Sequence, residues 1–430
     1  GQIDKNTNNK PTDSSLYEIA SITKIFAGML AAKAVLDKKI TLEDDIRTYL
    51  KGNYSNLEFE GNPITIKDLL THTLGLSEKR PPKFSAIIEK INKGDFENKP
   101  IDYNFNDLLE ELKIVTLNKK PGTVYNYNSI GPELIAYTLQ QVYKKPYKAL
   151  LQDFLDDLDM KNTFLLDNSK SNIKKLVNGY NEAREIAPKD KNSLIGGAYG
   201  LISTLPDLMK LMVFQLESKN PLIKESTRVL FEDNDDNTMG YLWQDLGIGQ
   251  EEGFYYSKTG TSGGIQSGLL VCPDSNYAQI IIINNTSEAS FNDWATLYNK
   301  IETDLIKYPK INLVALLKPE FIADFTSAKK QYRNLKKQDS SYFYNASLLN
   351  ALGYDFLNNL KDEDKAIELF QFAIEEYPDN GNLYDSLSEI YFTTKNYKKA
   401  LENYKKAYKL NPENNNAKAY ILKLEKQLKN

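Results

Sequence analysis

The chain has 430 residues, which predicts two or three structural units at about 150 residues per domain. Hydrophobic residues make up 41% and charged residues 26%, as in globular proteins, and the net charge of -4 lacks the basic excess typical of nucleic-acid binding. One cysteine (Cys272) excludes an intramolecular disulfide, and one histidine (His72) excludes a zinc site built on two or three histidines.

No run of apolar residues approaches the ~20 that a membrane-spanning helix needs. The longest candidate, Ile25 to Leu36, is interrupted by Lys33. No signal peptide is visible in the printed sequence. We therefore expect no membrane span in this chain.

The first strong element is the run of small and apolar residues from Ile25 to Ala32, which predicts a buried helix. Thr65 precedes a second apolar segment, and Asp68 follows three residues later. A hydroxyl residue and an acidic residue at this spacing form a capping box, so we predict a helix that begins after Thr65.

Two β-strands are predicted near the end of the first part of the chain, at 268–271 and 277–283, with a hairpin turn at 273–276. Four consecutive isoleucines, 280–283, favour a central strand covered on both faces. The helical spacing from Trp294 to Ile306 predicts a helix packed on this sheet. Mixed helices and strands indicate an α+β catalytic domain.

The last part of the chain has the spacing of a helical repeat. Eight positions match a 34-residue tetratricopeptide repeat: Tyr384, Leu387, Ser388, Tyr391, Ala400, Tyr404, Ala407 and Pro412. Such repeats are helical hairpins that bury one face against their neighbours; a generic helical bundle is the alternative. We predict a catalytic domain over 1–306, a linker and helical connection over 307–344, and an all-α repeat domain over 345–430.

A serine and a lysine three residues apart on a helix lie on the same face, where the lysine can take the serine proton. The chain has this spacing at Ser21 and Lys24, and again at 171–174 and 327–330. Spacing alone does not choose between them. Only Ser21 leads into a buried apolar helix, where free backbone N–H groups favour developing negative charge.

Two further segments carry groups suited to chemistry. Lys258-Thr259-Gly260, predicted as an edge strand beside a cleft, offers a positive charge, a hydroxyl and a backbone that other groups can approach closely. The polar loop 121–131 contains Tyr127 and opens into a helix near Leu134. Taken by itself, the Lys-Thr-Gly segment is typical of an exposed strand-to-turn segment. A tyrosine in a loop, taken by itself, is more typical of a packing residue than of a catalytic one.

In this order, the three segments resemble the class C β-lactamase and penicillin-binding protein family, for which Ser-x-x-Lys and Lys-Thr-Gly motifs are known in related members. The resemblance covers about residues 12–306 and includes the segments 65–76, 159–163 and 196–204. It implies a β-lactamase/transpeptidase-like fold, with an antiparallel sheet flanked by helices. His72 falls in a segment of structural character, so we expect a satisfied packing histidine.

The resemblance also implies roles for single residues. Ser21 attacks a carbonyl carbon, Lys24 helps to deprotonate it, and Tyr127 relays protons. Lys258 holds a substrate carboxylate and steadies the tyrosine, while the backbone N–H groups of Ser21 and Thr261 form the oxyanion hole. Substrate binding is thus expected at Ser129, Thr259, Gly260 and Thr261, and neither a metal nor a cofactor is implied.

Two departures from the family pattern stand out. The family loop motif is Tyr-x-Asn, but Ser129 stands where the asparagine is expected, which affects the contact to a substrate amide; Asn126 and Asn128 are candidates to compensate. Only twenty residues precede Ser21, where the family normally has a helix and two strands. The resemblance leaves open whether the central sheet lacks these N-terminal strands.

A rival serine motif is Gly260-Thr261-Ser262-Gly263-Gly264, which matches the nucleophile elbow of α/β-hydrolases. That elbow needs a helix directly after the serine and a histidine later in the chain. A strand pattern follows Ser262, and His72 comes earlier. The sequence therefore favours Ser21.

Two functions are left open. The first is a serine hydrolase with an acyl-Ser21 intermediate, acting on a D-amino-acid peptide, cell-wall fragment, small ester or β-lactam. The second is a peptide- or protein-binding repeat protein with a degenerate hydrolase domain. The resemblance implies export to the periplasm or the outside of a bacterial cell, a small-molecule or peptide substrate, and variable substrate loops at 77–107 and 168–192.

Overall fold

The structure is a computed structural model. It describes residues 3–5, 7–76, 81–92, 102–166, 173, 175–189, 194–235, 237–249, 252–304, 309–338, 340–412 and 414–428. The chain forms two compact units. The first comprises 1–247, 255–273 and 277–306, and the second comprises 248–254, 274–276 and 307–430.

The main sheet has four strands in the order β11-β10-β9-β8. Their bounds are Gln244–Gly249 (β8), Gly253–Thr261 (β9), Gln266–Cys272 (β10) and Tyr277–Ile283 (β11). The predicted hairpin of β10 and β11 is confirmed, with Gly268 opposite Ile281 in an antiparallel register. Cys272 is buried at the end of β10.

Two details of the sheet differ from the sequence expectations. The strand that carries Lys258 lies inside the sheet, between β8 and β10, rather than at an edge. The isoleucine-rich strand β11 instead forms an edge among the described residues, and of its four isoleucines only Ile281 is buried. Apolar composition alone does not reveal which strands pair, because pairing depends on contacts between distant segments.

The remaining strands form small sheets. They are Tyr17–Glu18 (β1), Glu58–Phe59 (β2), Asn62–Pro63 (β3), Phe164–Leu165 (β4), Leu201–Ser203 (β5), Phe231–Glu232 (β6) and Thr238–Met239 (β7). β1 and β4 both pair with β5 in antiparallel register. The β1–β5 pair places the chain immediately before Ser21 against the segment that follows residue 200.

The described residues of the first unit form nine helices. They are Thr23–Leu36 (α1), Ile66–Thr71 (α2), Pro82–Asn92 (α3), Phe105–Leu112 (α4), Ile130–Tyr143 (α5), Tyr147–Asp157 (α6), Leu205–Gln215 (α7), Pro221–Ser226 (α8) and Glu288–Asp304 (α9). The predicted capping box of Thr65 and Asp68 is present at the start of α2. α1 packs against α5, α6 and α8, and α9 packs on β11.

A glycine in α1 allows another segment of the chain to pack directly against the helix. A Cβ atom at Gly28 would lie 1.8 Å from the carbonyl oxygen of Tyr241, so glycine is required where the backbone at 241 crosses the helix. The next residue, Leu242, donates its N–H to the Leu70 carbonyl. These contacts fix the segment directly before β8 against α1 and α2. The α+β prediction for this unit is confirmed.

In the part of the second unit that the structure describes, seven helices accompany one short pair of parallel strands, Ile311–Asn312 (β12) and Tyr342–Phe343 (β13). The helices are Leu313–Ala323 (α10), Phe325–Gln338 (α11), Ala346–Asn358 (α12), Glu363–Glu376 (α13), Gly381–Thr393 (α14), Tyr397–Leu410 (α15) and Asn415–Gln427 (α16). Consecutive helices pack as hairpins around a core that includes Ala366, Ala400 and Tyr404. The all-α C-terminal region is confirmed.

None of the helices among the described residues combines the length and the apolar character that a membrane span requires.

Candidate active site

Ser21 lies in a 3-10 turn, Ala20–Ile22, directly before α1. Ile19 and Ile22 on either side are fully buried and anchor the turn. Ala20 has φ of +44°, a backbone conformation that is unfavourable for a residue with a side chain and that clusters at functional sites. The turn therefore holds the serine in a fixed orientation, two residues before the regular helix α1 begins at Thr23.

Lys24 lies one helical turn after Ser21 and is 1% exposed. Its Nζ atom is 2.9 Å from the Ser21 Oγ atom and donates a second hydrogen bond, of 2.8 Å, to the Ala198 carbonyl oxygen. Burial keeps the lysine side chain in place, so the amine and the serine hydroxyl are held in direct contact.

Glu133 positions the segment that Lys24 contacts. This carboxylate lies in the first turn of α5, is fully buried, and accepts hydrogen bonds from the backbone N–H groups of Ile195, Gly196 and Ala198 at 2.9 to 3.0 Å. The Ala198 carbonyl is thereby held against Lys24. Glu133 was not predicted from the sequence; its acidic side chain in the first turn of a helix that follows a polar loop was the available signal.

The ring of Tyr127 lies beside two lysines. The Nζ atom of Lys24 is 5.1 Å from the ring centroid and that of Lys258 is 4.8 Å from it. Lys258 also donates a long hydrogen bond, of 3.4 Å, to the Tyr127 hydroxyl. The Tyr127 hydroxyl thus lies within reach of Lys258, and its ring lies beside Lys24. The arrangement is suited to a proton relay.

Lys258 is fully buried on β9. Its Nζ atom donates a 2.6 Å hydrogen bond to Gln244 on β8, and the Gln244 amide in turn donates to the Tyr125 hydroxyl. Burial lowers the pKa of Lys258 to about 8, because a charged ammonium loses hydration in the interior; the charge of Lys24 adds to the decrease and Tyr127 opposes it. Sequence reasoning had not identified Gln244.

Gly260 brings β9 close to the serine. A Cβ atom at this position would lie 2.7 Å from the Ile19 carbonyl oxygen and 3.1 Å from the Ser21 backbone nitrogen. Any larger residue would push the strand away from the 3-10 turn. Thr259 and Thr261, which flank Gly260, are exposed, so residues on both sides of the glycine can be reached from solvent.

Ser129 begins α5 as its N-cap residue, but its side chain makes no capping hydrogen bond. Asn128 makes the hydrogen bond to the start of α5 instead, since its Oδ1 atom accepts from the Gly131 N–H. Its side-chain amide donates to the Asn126 carbonyl. Asn128 is buried and both ends of its side chain are engaged, which removes it as a replacement for the missing asparagine.

The other Ser-x-x-Lys segments differ from this one. Ser327 lies on α11, and Lys330 is exposed; the segment 171–174 lies outside the described residues apart from residue 173. Ser262 is followed by strand β10 rather than by a helix, which removes the α/β-hydrolase elbow. The candidate substrate segments 77–107 and 168–192 lie partly outside the described residues.

Among the described residues, no three His, Cys, Asp or Glu side chains converge as a metal site requires. The convergent groups are instead one hydroxyl, one phenol and two amines. This set is equipped for nucleophilic attack and proton transfer. The fold and these side chains define a protein of the β-lactamase and penicillin-binding-protein type.

Comparison with known proteins agrees with this class. The β-lactamase family model matches residues 1–302, and the tetratricopeptide repeat model matches residues 381–414. The chain therefore belongs to the β-lactamase family and carries a tetratricopeptide repeat near its C-terminal end.

Two curated relatives are similar in sequence. Protein flp of Staphylococcus aureus (strain MRSA252) is 25% identical over 331 residues, which are 75% of this chain and 62% of that protein. The D-alanyl-D-alanine-carboxypeptidase/endopeptidase AmpH of Escherichia coli (strain K12) is 22% identical over 71% of this chain and 80% of its own length. The chain thus spans less than two thirds of Protein flp.

Solved structures show the same fold. The β-lactamase/D-alanine carboxypeptidase of Yersinia pestis, complexed with citrate, superposes with a TM-score of 0.57 and 22% identity, over 71% of this chain and 88% of its own. The octameric penicillin-binding protein homologue of Pyrococcus abyssi gives a TM-score of 0.57 and 18% identity, over 67% and 66%. At these identities the likeness concerns the fold.

Proposed function

We propose that the chain is a serine hydrolase that forms an acyl-enzyme at Ser21. The observation that carries this proposal is the 2.9 Å contact between the Ser21 hydroxyl and the buried Lys24 amine, beside Tyr127. The membership of the β-lactamase family, whose members include serine hydrolases, supports the reaction class.

In the proposed reaction the Ser21 Oγ atom attacks the carbonyl carbon of an amide or ester, and its proton passes to the neutral amine form of Lys24. The carbonyl π electrons move to oxygen, and the backbone N–H groups of Ser21 and Thr261 stabilise that oxyanion. Removing one such donor typically lowers the rate about a hundredfold to a thousandfold. The oxyanion then re-forms the carbonyl, the bond to the leaving group breaks, and the proton held by Lys24 reaches that group through the Tyr127 hydroxyl. Water then attacks the acyl-Ser21 ester, its proton passes by the same groups to the Ser21 Oγ atom, and the acid is released with the serine hydroxyl restored.

Lys258 supports a preference for substrates that carry a carboxylate near the scissile bond. Its ammonium has three N–H donors, of which two are directed at Gln244 and Tyr127. We propose that the third donor meets the substrate carboxylate. D-Amino-acid peptides, cell-wall fragments and β-lactams have this carboxylate, and small esters without it remain substrates of lower affinity.

The test is covalent labelling with a fluorescent penicillin and, separately, with a fluorophosphonate. We expect Ser21→Ala to abolish the label and Lys24→Ala to reduce it strongly. Ser327→Ala is the matched control, since Ser327 begins the same Ser-x-x-Lys spacing on α11, and it should label like the wild type. Equal labelling of Ser21→Ala and wild type would exclude Ser21 as the nucleophile.

The alternative function is binding through the repeats, with a hydrolase unit that has lost activity. Ser129, in place of the family asparagine, and the repeat at 381–414 favour it. Under this alternative, hydrolysis of a p-nitrophenyl ester is unaffected by Lys24→Ala. In either case we propose that the repeats bind a protein or peptide and that the protein works outside the cytoplasm.

A further inference from the structure

His72 contacts three consecutive residues of the loop that carries Tyr127. Its ring packs on the ring of Tyr127, with centroids 4.6 Å apart. Its carbonyl oxygen accepts a 2.8 Å hydrogen bond from the Asn126 N–H, and its Nδ1 atom accepts a 3.4 Å hydrogen bond from the Asn128 N–H. A single residue therefore holds the backbone on both sides of Tyr127 and contacts its ring at an interplanar angle of 47°.

This histidine is unfavourable for folding in two respects. It ends α2 in the left-handed conformation, with φ of +59°, where glycine or asparagine is the usual residue. Its side chain is fully buried, yet the Nε2 atom has no hydrogen-bond partner among the described residues, contrary to the expected satisfied packing histidine. Such local costs persist mainly where function requires the residue.

The surroundings keep the imidazole neutral. Burial, together with the charges of Lys258 and Lys24, holds the pKa of His72 well below its usual range. Because Nδ1 accepts a hydrogen bond, the single ring proton is on Nε2. A neutral ring can lie against the tyrosine without adding a third positive charge beside the two lysines.

We propose that His72 is a positioning residue whose neutral imidazole holds the Tyr127 ring against Lys24 and Lys258. The proposal rests on the hydrolase function proposed for Ser21. It predicts that His72 affects the rate only through the Tyr127 hydroxyl. It also predicts one fixed tautomer of the imidazole, which can be observed whether or not a good substrate is known.

The kinetic test is a double-mutant cycle with Tyr127→Phe. His72→Asn tolerates the left-handed backbone and keeps an oxygen that can accept from the Asn128 N–H, but it removes the ring. We expect kcat for a p-nitrophenyl ester to fall about tenfold to a hundredfold, as for a misplaced proton-transfer group, with little change in KM or Tm. In the Tyr127→Phe background, His72→Asn should cause no further decrease in kcat.

Equal losses in both backgrounds would overturn the proposal, since a purely structural histidine acts independently of the tyrosine hydroxyl. If His72→Asn is recovered unfolded, His72→Gly replaces it in the cycle, because glycine removes the backbone strain. A fully active His72→Asn together with an inactive Ser21→Ala would reject the positioning role and leave the hydrolase intact. Activity retained in Ser21→Ala would instead reject the hydrolase assignment.

The second measurement uses the fact that the chain has one histidine. In a tag-free, nitrogen-15-labelled protein, two-dimensional NMR of the imidazole reports a single side chain and distinguishes its tautomers. We expect the neutral Nε2–H form at neutral pH, without the titration that a free histidine shows near its ordinary pKa. A protonated ring or the Nδ1–H tautomer would overturn the proposal even without an active substrate.

Discussion

Replacing Lys258 with methionine should change the pH dependence of stability in a calculable way. The pKa of Lys258 is lowered from 10.5 to about 8 in the folded protein. Between these values the unfolded chain binds the proton and the folded protein does not, so this group makes folding more favourable as the pH rises. Below the lower pKa, burying the charged ammonium costs about 3 kcal/mol, from 1.36 kcal/mol per pKa unit.

Lys258→Met removes this cost together with two hydrogen bonds, and it leaves the Gln244 carbonyl oxygen without the Lys258 donor. The lost hydrogen bonds shift stability by an amount that does not vary with pH. The pH dependence of the difference in unfolding free energy between wild type and variant therefore reports the ionisation of Lys258 alone. We expect the wild type to gain about 2 to 3 kcal/mol relative to Lys258→Met on going from about pH 7 to about pH 10.

The assay is urea unfolding of both proteins at several pH values, followed by a probe in the first unit such as the fluorescence of buried Trp243. Lys67→Met, which removes an exposed lysine from α2 of the same unit, provides the baseline. A stability difference between wild type and Lys258→Met that stays constant across the pH range would refute the lowered pKa and the buried ammonium on which it depends.

Three further predictions concern activity. For a substrate with a carboxylate, kcat/KM should decrease above about pH 8 as Lys258 loses its proton, and a neutral ester should show a weaker decrease; equal profiles would exclude the carboxylate contact. Ser129→Asn should raise kcat/KM for an amide or β-lactam by about tenfold relative to an ester, which parallel assays of both substrates measure. Glu133→Gln should lower stability by about 1 to 3 kcal/mol, because an amide N–H would face a backbone N–H; it should also lower kcat as Ala198 moves from Lys24. Unchanged Tm and kcat would argue against the role of Glu133 in holding Ala198 against Lys24.

The sequence by itself determined the elements and the order of the reactive groups. The apolar run after Ser21 gave a buried helix, the capping box at Thr65 began α2, and the repeat spacing predicted the C-terminal helices, because each of these depends on residues close together in the chain. The Lys-Thr-Gly strand and the polar loop were found in the same way. Their meeting at one serine was an expectation that rested on the family resemblance.

The tertiary structure decided which groups touch. Glu133, Gln244 and His72 hold the groups beside Ser21 through contacts over long separations in sequence, such as Glu133 with Ala198, and spacing along the chain carries no information about these contacts. The position of β9 inside the sheet and of β11 at an edge was likewise set by strand pairing. Ser21 and Ser327 are likewise distinguished by tertiary packing. Both serines have a lysine at the right spacing, but only packing around α1 buries Lys24 and leaves the Ser21 hydroxyl as its neighbour.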